Sequence, residues 1–424
     1  MSAVRVLAGP PFGSGAESYQ DHVARLGPLP VRHARSTLIP ELEVSGLLGR
    51  GGAGFPVGRK WRSLAERARG GGAVVLVNGA EGEPLSHKDR TILTLRPNLV
   101  LDGAQLAADA IGADEIVLYI GATYTGAIEA IQRAGAERQA ARAGSTLPMR
   151  IARAPDGYIA GEESAAVHFV NDGDARPVTT PPRPYERGVG GLPTLVQNVE
   201  SLAHVALIAR SGAAWYRSAG EGESRGTAVV TVTAPGGRPV VREIELGRTI
   251  GELAALGGHE GGAPPVAVSA TQAVLLGGYF GRWLDAGAAW DLPLDPGALR
   301  ERGLSMGAGI VAFLSTSTCP VVATARIAEY MAAQSAAQCG PCVFGLRAIA
   351  DAMTRLARSE ARRDDWLNVE RWAAQAKNRG ACRHPDGAVG MLESALVTFE
   401  GELERHWRQR RCSFAATPQS VRAA

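Results

Sequence analysis

A glycine-rich stretch, Gly49-Arg50-Gly51-Gly52-Ala53-Gly54-Phe55-Pro56, carries the clearest chemical signal in the sequence. Its four glycines leave backbone N–H groups free to approach a phosphate closely. The next segment, 57–69, predicts a helix whose N-terminal dipole favours the same anion. The preceding segment, 40–48, is not a β-branched strand, so the stretch does not fit the dinucleotide-binding fingerprint of a Rossmann fold. The alternative is a glycine turn without a ligand.

An amide and two carboxylates follow a predicted strand. The apolar run 73–77 predicts a buried strand that leads into Asn78-Gly79-Ala80-Glu81-Gly82-Glu83-Pro84. Since ligands of parallel sheets bind beyond the carboxyl ends of the strands, Asn78, Glu81 and Glu83 are candidate binding residues.

Two adjacent carboxylates in Gly157-Tyr158-Ile159-Ala160-Gly161-Glu162-Glu163 open a predicted helix that continues to Phe169. The helix dipole alone favours acidic residues in a first turn. In the functional interpretation, one carboxylate hydrogen-bonds a ribose, a flavin edge or a nicotinamide amide. Adjacent side chains diverge in direction, which argues against a glycosidase pair. The segment 191–200, taken alone, is typical of a capped helix start.

The cysteines suggest a metal or redox site. Cys339-Gly340-Pro341-Cys342 lies in a helical context, and Cys382 follows forty positions after Cys342. This spacing is compatible with a redox dithiol, a zinc site or an iron–sulfur site. Because a thioredoxin-like dithiol needs a βαβ context, metal binding is the favoured interpretation. Cys319 and Cys412 are interpreted as ordinary thiols.

The elements that position these motifs divide the chain. Strands alternating with helices between 73 and 152 predict a doubly wound parallel sheet. Paired strands at 228–232 and 240–244 begin a small α+β unit, and 323–403 is mostly helical. The predicted regions are an N-terminal surface extension (1–35), an α/β domain (36–222), the α+β unit (223–305), a helical domain (306–410) and a tail (411–424).

Composition limits the function classes. Of the 424 residues, 45% are hydrophobic and 21% charged, as in ordinary globular proteins. A net charge of +3 gives no support for binding nucleic acid or an anionic membrane. No apolar run is long enough to span a bilayer, and no secretory signal is expected. Five cysteines, an odd number, favour a reducing, cytoplasmic compartment over a disulfide framework.

In this order, the motifs resemble those of the flavin-carrying, NADH-oxidising subunit of respiratory complex I and of related hydrogenase and formate dehydrogenase diaphorase subunits. The matching motifs are 49–61, 78–84 with Lys88-Asp89-Arg90, 158–163, and 194–200, in which Gln197 replaces an Asn. The resemblance implies an FMN-binding α/β domain with a parallel sheet. The resemblance also implies two domains after the α/β domain. The first is a ubiquitin-like β-grasp domain of the soluble-ligand-binding type, and the second is a C-terminal helical iron–sulfur bundle.

The resemblance also assigns residues to cofactors. It implies that the FMN phosphate binds the loop 49–54, with Lys60 nearby. It implies that the flavin is lined by Asn78, Glu81, Tyr158, Gly161, Glu162 and Asn198. Glu83 and Glu163 would face the nicotinamide dinucleotide, NAD(H), and Phe55 would stack on its ring system.

Several positions depart from the family pattern. Ala80 replaces an Asp near the flavin, and Ser63 replaces an aromatic residue. Thr180 and Arg183 replace a Lys and a Phe that help to hold NADH, so Arg183 would have to compensate through a diphosphate contact. These departures weaken the expectation of NADH as the reductant.

The cluster motif departs as well, because Ala336 stands where the family has its first cysteine ligand. The expected ligands are Cys339, Cys342 and Cys382, with His384 as a fourth and Asp386 as another candidate donor. The cluster is then complete with a non-cysteine ligand, reduced to a three-iron form, or absent.

The resulting hypothesis is an FMN-dependent oxidoreductase that takes hydride from NADH and passes single electrons through an iron–sulfur cluster. The expected acceptor is an iron–sulfur partner protein with a ferredoxin-like or thioredoxin-like fold, or a quinone-linked partner, with no nucleic acid and no direct membrane insertion. The alternative is a non-catalytic electron-transfer or assembly subunit that has lost the use of NADH.

Overall fold

A computed structural model describes residues 5–30, 37–68, 72–143, 147–256 and 266–414. They contain a parallel sheet with helices, a second mixed sheet, and a helical C-terminal region. Three predicted segments lie partly outside the described residues: the end of the helix 57–69, the end of the segment 122–144, and most of the tail.

The first sheet contains four parallel strands in the order β3-β2-β1-β4. They are β1 (Val74–Gly79), β2 (Glu115–Gly121), β3 (Met149–Ala154) and β4 (Thr194–Asn198). The sequence predicted the first three from their apolar runs. It did not predict β4, whose residues were interpreted only as a helix start. In the register of β1 and β4, Asn78 lies opposite Asn198, so both amides stand at the carboxyl edge of the sheet.

Eight helices surround or precede this sheet in the described part of the chain. They are α1 (Tyr19–Leu26), α2 (Ile39–Ser45), α3 (Val57–Arg67), α4 (Lys88–Leu95), α5 (Pro97–Ile111), α6 (Thr125–Ala140), α7 (Glu163–Asp172) and α8 (Val199–Arg217). Successive residues of β1 point to opposite faces of the sheet, so the helices pack against it in two layers. Val75 and Val77 pack in one apolar cluster with α5 and α8, whereas Val74 and Leu76 pack with α7.

The N-terminal segment is not the surface extension that its composition suggests. Val6 is fully buried, and the backbone N–H groups of Arg5 and Leu7 donate to the Glu243 carboxylate at 2.8 and 2.9 Å. The α1 residue His22 lies 2.8 Å from Asp102 of α5. Long-range polar contacts, which no local pattern reveals, therefore fix this segment against the first and second sheets.

The second sheet is mixed and follows the order β6-β5-β9-β7-β8. Its strands are β5 (Thr227–Thr233), β6 (Val240–Glu245), β7 (Thr271–Leu276), β8 (Arg282–Asp285) and β9 (Ile310–Ser315), with α9 (Ile250–Leu256), α10 (Ala286–Ala289) and α11 (Pro296–Glu301). The first and last strands run parallel at its centre, as in a ubiquitin-like β-grasp. Because β9 completes this sheet, the sheet extends past the predicted boundary at 305.

The C-terminal region consists of α12 (Pro320–Ala333), α13 (Arg347–Ala357), α14 (Asp365–Ala376), α15 (His384–Thr398) and α16 (Glu400–Glu404). Two π-helical turns, Pro341–Leu346 and Arg405–Gln409, interrupt the regular geometry. The strands β7 and β8 contribute Leu275 and Trp283 to the same apolar core. Within the residues described, no helix has the length and apolar character to cross a bilayer.

Candidate functional site

The carboxyl edge of the first sheet brings two predicted binding residues together. The Asn78 amide donates to the Gly161 carbonyl at 2.9 Å. Asn198 caps α8 by accepting from the Glu200 N–H at 3.0 Å, and its amide donates to Asp89 at 2.7 Å. The two asparagines thereby join the ends of β1 and β4 to the turns around them.

The glycine loop 49–54 lies against this edge. A hydrogen bond of 2.9 Å from the Gly49 N–H to the Phe55 carbonyl closes the loop. Gly52 has a φ of +105°, which disfavours any residue with a Cβ. A Cβ on Gly51 would approach the Asn198 Cβ to 3.4 Å. The loop is therefore a narrow cradle directly before α3, as expected for a phosphate site at a helix N-terminus.

The turn before α7 packs equally closely on the turn after β1. A Cβ on Gly161 would lie 2.6 Å from the Ala80 carbonyl oxygen, and one on Gly82 would lie 2.6 Å from that of Tyr158. Only glycine allows this approach of two backbones. The structure thus brings the predicted motifs 78–84 and 157–163 into direct contact.

Three predicted residues present side chains that solvent can reach. Lys60 of α3 donates to the Val196 carbonyl at 2.8 Å and lies 3.3 Å from the Glu163 carboxylate. The side chains of Lys60 and Glu163 are 25% and 35% exposed, and Phe55 is 52% exposed. A cation, an anion and an aromatic ring thus remain accessible for a ligand beside the loop.

Three other predicted residues use their side chains to hold the protein together. The Arg50 guanidinium donates to the Thr227 carbonyl at 3.0 Å, and Glu81 accepts from the Asp89 N–H at 3.1 Å. Glu162 caps α7 by accepting from the Ala165 N–H at 2.9 Å. In this geometry these three side chains position the loops.

Glu83 is buried rather than open to a dinucleotide. Its carboxylate accepts from the Tyr279 N–H at 2.8 Å and from the Tyr158 hydroxyl at 3.2 Å. Burial raises the pKa of Glu83 to about 7, although these hydrogen bonds oppose the shift. Glu83 therefore joins the turn after β1 to the second sheet.

The raised pKa predicts a pH-dependent stability. A carboxyl whose pKa rises from 4.5 to about 7 on folding destabilises the fold progressively as pH increases through that window. Between pH 5 and 8, the wild-type free energy of unfolding should fall by about 2–3 kcal/mol more than that of Glu83→Gln. Chemical unfolding at both pH values measures this difference. The exposed Glu129→Gln is the control, and a control difference equal to that of Glu83→Gln would contradict the assignment.

The glycine loop also lines a crevice that opens between it and the second sheet. Its lining includes Lys88 and Glu200, with Val229, Arg300 and Gly307 on the side of the second sheet. The Lys88 ammonium lies 3.0 Å from Glu200 and 2.7 Å from Asp89. Burial disfavours the ionised form of Glu200. The charges and hydrogen bonds of Lys88, His204 and Arg50 outweigh burial and lower the pKa of Glu200 to about 2. Neither Asn78 nor Glu162 lines this crevice, which has its own ion pairs.

The three predicted cluster cysteines occupy one neighbourhood. Burial raises the pKa of Cys342 to about 12, and the Cys339 and Cys382 thiols add to the shift. Burial raises the pKa of Cys382, with a smaller contribution from the charge of Glu162. In the described part of the chain, these three sulfurs do not all lie within 4.8 Å of one another. A single ion with bonds of about 2.3 Å would need a tighter set, whereas a multi-iron cluster spans more space.

His384, two residues after Cys382, packs against Tyr158 of the turn before α7. Its Nε2 lies 2.7 Å from the Met331 carbonyl, so Nε2 carries the proton. Its buried Nδ1 has no hydrogen-bond partner among the described residues. The ring packs 5.7 Å from that of Tyr158 and 5.8 Å from that of Phe280. The imidazole therefore offers one unpaired lone pair in the helical region.

Sequence reasoning missed several residues that shape this site. Lys88, Asp89 and Glu200 were recognised as parts of motifs but were not assigned to the site. Tyr279 and Phe280, at the end of β7, contact Glu83 and Tyr158. The run Gly277-Gly278-Tyr279-Phe280 was the available signal, since paired glycines before aromatic residues mark a close backbone approach.

Comparisons with protein families match both parts of this arrangement. Residues 42–207 match the family described as the Nuo51 FMN-binding domain. Residues 322–406 match the family described as the NADH-ubiquinone oxidoreductase-F iron-sulfur binding region. The two matches include the glycine cradle and the three cluster cysteines, respectively.

Curated relatives extend over most of the chain. An NADH-quinone oxidoreductase F-type subunit of Rhizobium meliloti is 31% identical over 385 residues, which cover 89% of this chain and 90% of the relative. The corresponding F-type subunit of Rickettsia bellii is 30% identical, with 87% and 89% covered. The solved structure of an air-oxidized NAD+-reducing NiFe-hydrogenase aligns with a TM-score of 0.80 at 28% identity, over 93% of this chain and 67% of that one.

Proposed function

The chain belongs to the family of NADH-quinone oxidoreductase F-type subunits, and we propose that it is the FMN-binding, NADH-oxidising component of a larger electron-transfer assembly. In this role it takes hydride from NADH and passes single electrons through an iron–sulfur cluster to a partner protein. The observation that carries the proposal is the glycine cradle 49–54, which lies against Asn198 at the carboxyl edge of the parallel sheet.

The residues of the cradle fit the single phosphate of FMN. The loop provides backbone N–H groups without side chains, α3 begins directly after it, and Lys60 supplies a partly exposed positive charge. Asn78, Asn198 and Gly161 form the neighbouring wall. When bound, FMN accepts a hydride and releases electrons singly. The protein holds the ring, and the buried Tyr158–Glu83 pair closes the side toward the second sheet.

The dinucleotide is proposed to bind on the accessible side of the cradle. Phe55 offers an exposed ring for stacking, and Glu163 accepts hydrogen bonds while Lys60 neutralises its charge. Arg183 is exposed and is available for a diphosphate contact. The burial of Glu83 assigns it a positioning role through Tyr158 rather than a direct contact with the nicotinamide ring.

The cluster is proposed to use Cys339, Cys342 and Cys382, with His384 Nδ1 as its fourth ligand in place of the cysteine that Ala336 replaces. The unpaired buried Nδ1 supports this assignment, because buried polar atoms normally have partners. The His384 ring packs 5.7 Å from the Tyr158 ring, so flavin-side and cluster-side residues adjoin. This proximity is what electron transfer between the two cofactors requires.

The proposed partner is an iron–sulfur protein with a ferredoxin-like or thioredoxin-like fold. The curated relatives are themselves named as subunits, which supports an assembly of several chains. Phe344, two residues after Cys342, is 75% exposed and would be covered by such a partner. A cytoplasmic location, peripheral to a membrane complex, agrees with an odd number of cysteines.

The test is stopped-flow reduction of the purified protein. We expect the protein to be yellow, to release FMN on denaturation, and to be reduced by NADH at least about tenfold faster than by NADPH, because the curated relatives are named for NADH. Lys60→Met should retain the fold and lose flavin by weakening the phosphate site. A colourless protein, or flavin that millimolar NADH leaves oxidised, would favour the non-catalytic subunit instead.

A further inference from the structure

Four potential metal ligands from the two ends of the helical region meet in its interior. They are Cys319, Glu402, His406 and Cys412, and one ligand atom of each lies within 4.8 Å of those of the others. Cys319 directly precedes α12, Glu402 belongs to α16, and His406 lies in the following π-helical turn. The first three are buried and Cys412 is partly buried. The set is separate from Cys339, Cys342 and Cys382.

The imidazole of His406 is already oriented as a metal ligand. Its Nδ1 lies 2.8 Å from the Leu356 carbonyl oxygen, which can only accept, so Nδ1 carries the proton. The Nε2 lone pair is then directed toward Cys319 Sγ at 3.4 Å and Glu402 Oε1 at 3.3 Å. A backbone carbonyl that fixes the tautomer of a histidine is the usual outer contact of a histidine metal ligand.

The distances agree with a tetrahedral zinc site. Zinc bonds of about 2.3 Å to sulfur and about 2.0–2.1 Å to nitrogen and oxygen place N and S about 3.6 Å apart, and N and O about 3.4 Å apart. The corresponding separations here are 3.4 Å and 3.3 Å. These two separations are within a few tenths of an ångström of the zinc values, and Cys412 Sγ lies within 4.8 Å of the other three ligand atoms.

We propose that Cys319, Glu402, His406 and Cys412 bind one structural Zn²⁺ ion. Two sulfurs, a nitrogen and a carboxylate oxygen fill all four positions and leave none for a substrate, as in structural zinc sites. Thiolate ligands in a tetrahedral set also favour zinc over magnesium or calcium. The ion ties the start of α12 to the segment after α16, so it closes the helical region that carries the iron–sulfur motif.

The surroundings support the ligands individually. The Arg405 Nε donates to Glu402 Oε2 at 2.8 Å, and the Ser413 N–H donates to Glu402 Oε1 at 2.8 Å. The Phe414 N–H donates to Cys412 Sγ at 3.4 Å. These donors stabilise a carboxylate and a thiolate, the ionised forms that bind zinc. The interpretation of Cys319 and Cys412 as ordinary thiols is replaced by this proposal.

Metal analysis of the full chain tests the site. Protein produced with supplemental zinc and iron should contain about one zinc per chain in addition to cluster iron. Cys412→Ser and His406→Gln should each retain less than about a fifth of the wild-type zinc, because three ligands hold the ion weakly. Cys382→Ser is the matched control, since it should lose iron and keep zinc. Circular dichroism establishes that each variant folds.

X-ray absorption at the zinc edge identifies the atoms that bind the ion. The wild type should show two sulfur and two nitrogen or oxygen neighbours, and Glu402→Cys should keep the zinc with three sulfurs. Glu402→Cys exchanges a carboxylate ligand for a thiolate and keeps four ligands, so it remains informative if the serine variant does not fold. The proposal is overturned if wild-type zinc is absent, if Cys412→Ser keeps it, or if Cys319 and Cys412 form a disulfide.

Discussion

Gly52→Val should abolish flavin retention, lowering FMN from about one per chain to less than about a tenth. Gly52 has a φ of +105°, and its Cβ direction points toward Gly307, 3.9 Å away across the crevice. A branched side chain would strain the loop by about 1–3 kcal/mol and withdraw the backbone N–H groups from the phosphate. The flavin that each purified variant releases on denaturation, measured by fluorescence, gives the result.

Gly13→Val is the matched control for backbone strain. Gly13 has a φ of +95° and open space around its Cβ direction, so valine there meets a similar torsional cost away from the cradle. The control should keep its flavin at wild-type occupancy. Full flavin in Gly52→Val, or equal losses in both variants, would show that the phosphate does not bind this loop.

Cys382→Ser should remove most of the cluster iron, from about three or four atoms per chain to less than about one. Cys382 lies two residues before α15 and is the third cysteine of the proposed ligand set, so its loss leaves only the closely spaced pair Cys339 and Cys342. Iron analysis of anaerobically prepared protein measures the effect. Arg383→Gln, an exposed position next in the chain, serves as the control and should retain its iron.

The fourth ligand can be tested through the cluster potential. A neutral imidazole in place of a thiolate raises the reduction potential of a cluster, so His384→Cys should lower it while keeping the iron. Ala336→Cys restores the cysteine that the family has at this position, and should increase iron occupancy if His384 binds only weakly. An unchanged potential in His384→Cys would remove His384 from the ligand set.

Local sequence patterns predicted the parts of the fold that local interactions determine. Continuous apolar runs identified β1, β2 and β3, and glycine spacing identified the cradle. The strand β4 was missed because its short run ends in the Asn198 cap, which resembled a helix start. The strand β9 pairs with β5 and β7, far away in the sequence, so no local pattern placed it in the second sheet.

The candidate site was predictable in its residue types but not in its side-chain directions. The position of Asn78 follows from the predicted end of β1, whereas Gly161 and Asn198 were assigned from the family resemblance. The inward direction of Arg50 and the burial of Glu83 depend on the second sheet, which packs against the cradle. Four potential metal ligands come together from the two ends of the helical region, and this convergence likewise depends on tertiary packing.

One anaerobic titration measures whether electrons enter this protein from NADH. NADH is added to the purified protein while flavin absorbance and the paramagnetic resonance of the cluster are recorded together. We predict that about one and a half NADH per chain bleach the flavin and produce a cluster signal, because FMN takes two electrons and the cluster takes one; His384→Cys should shift the potential of that signal. An absorbance spectrum that excess NADH leaves unchanged, in protein shown to contain FMN and iron, would contradict the account.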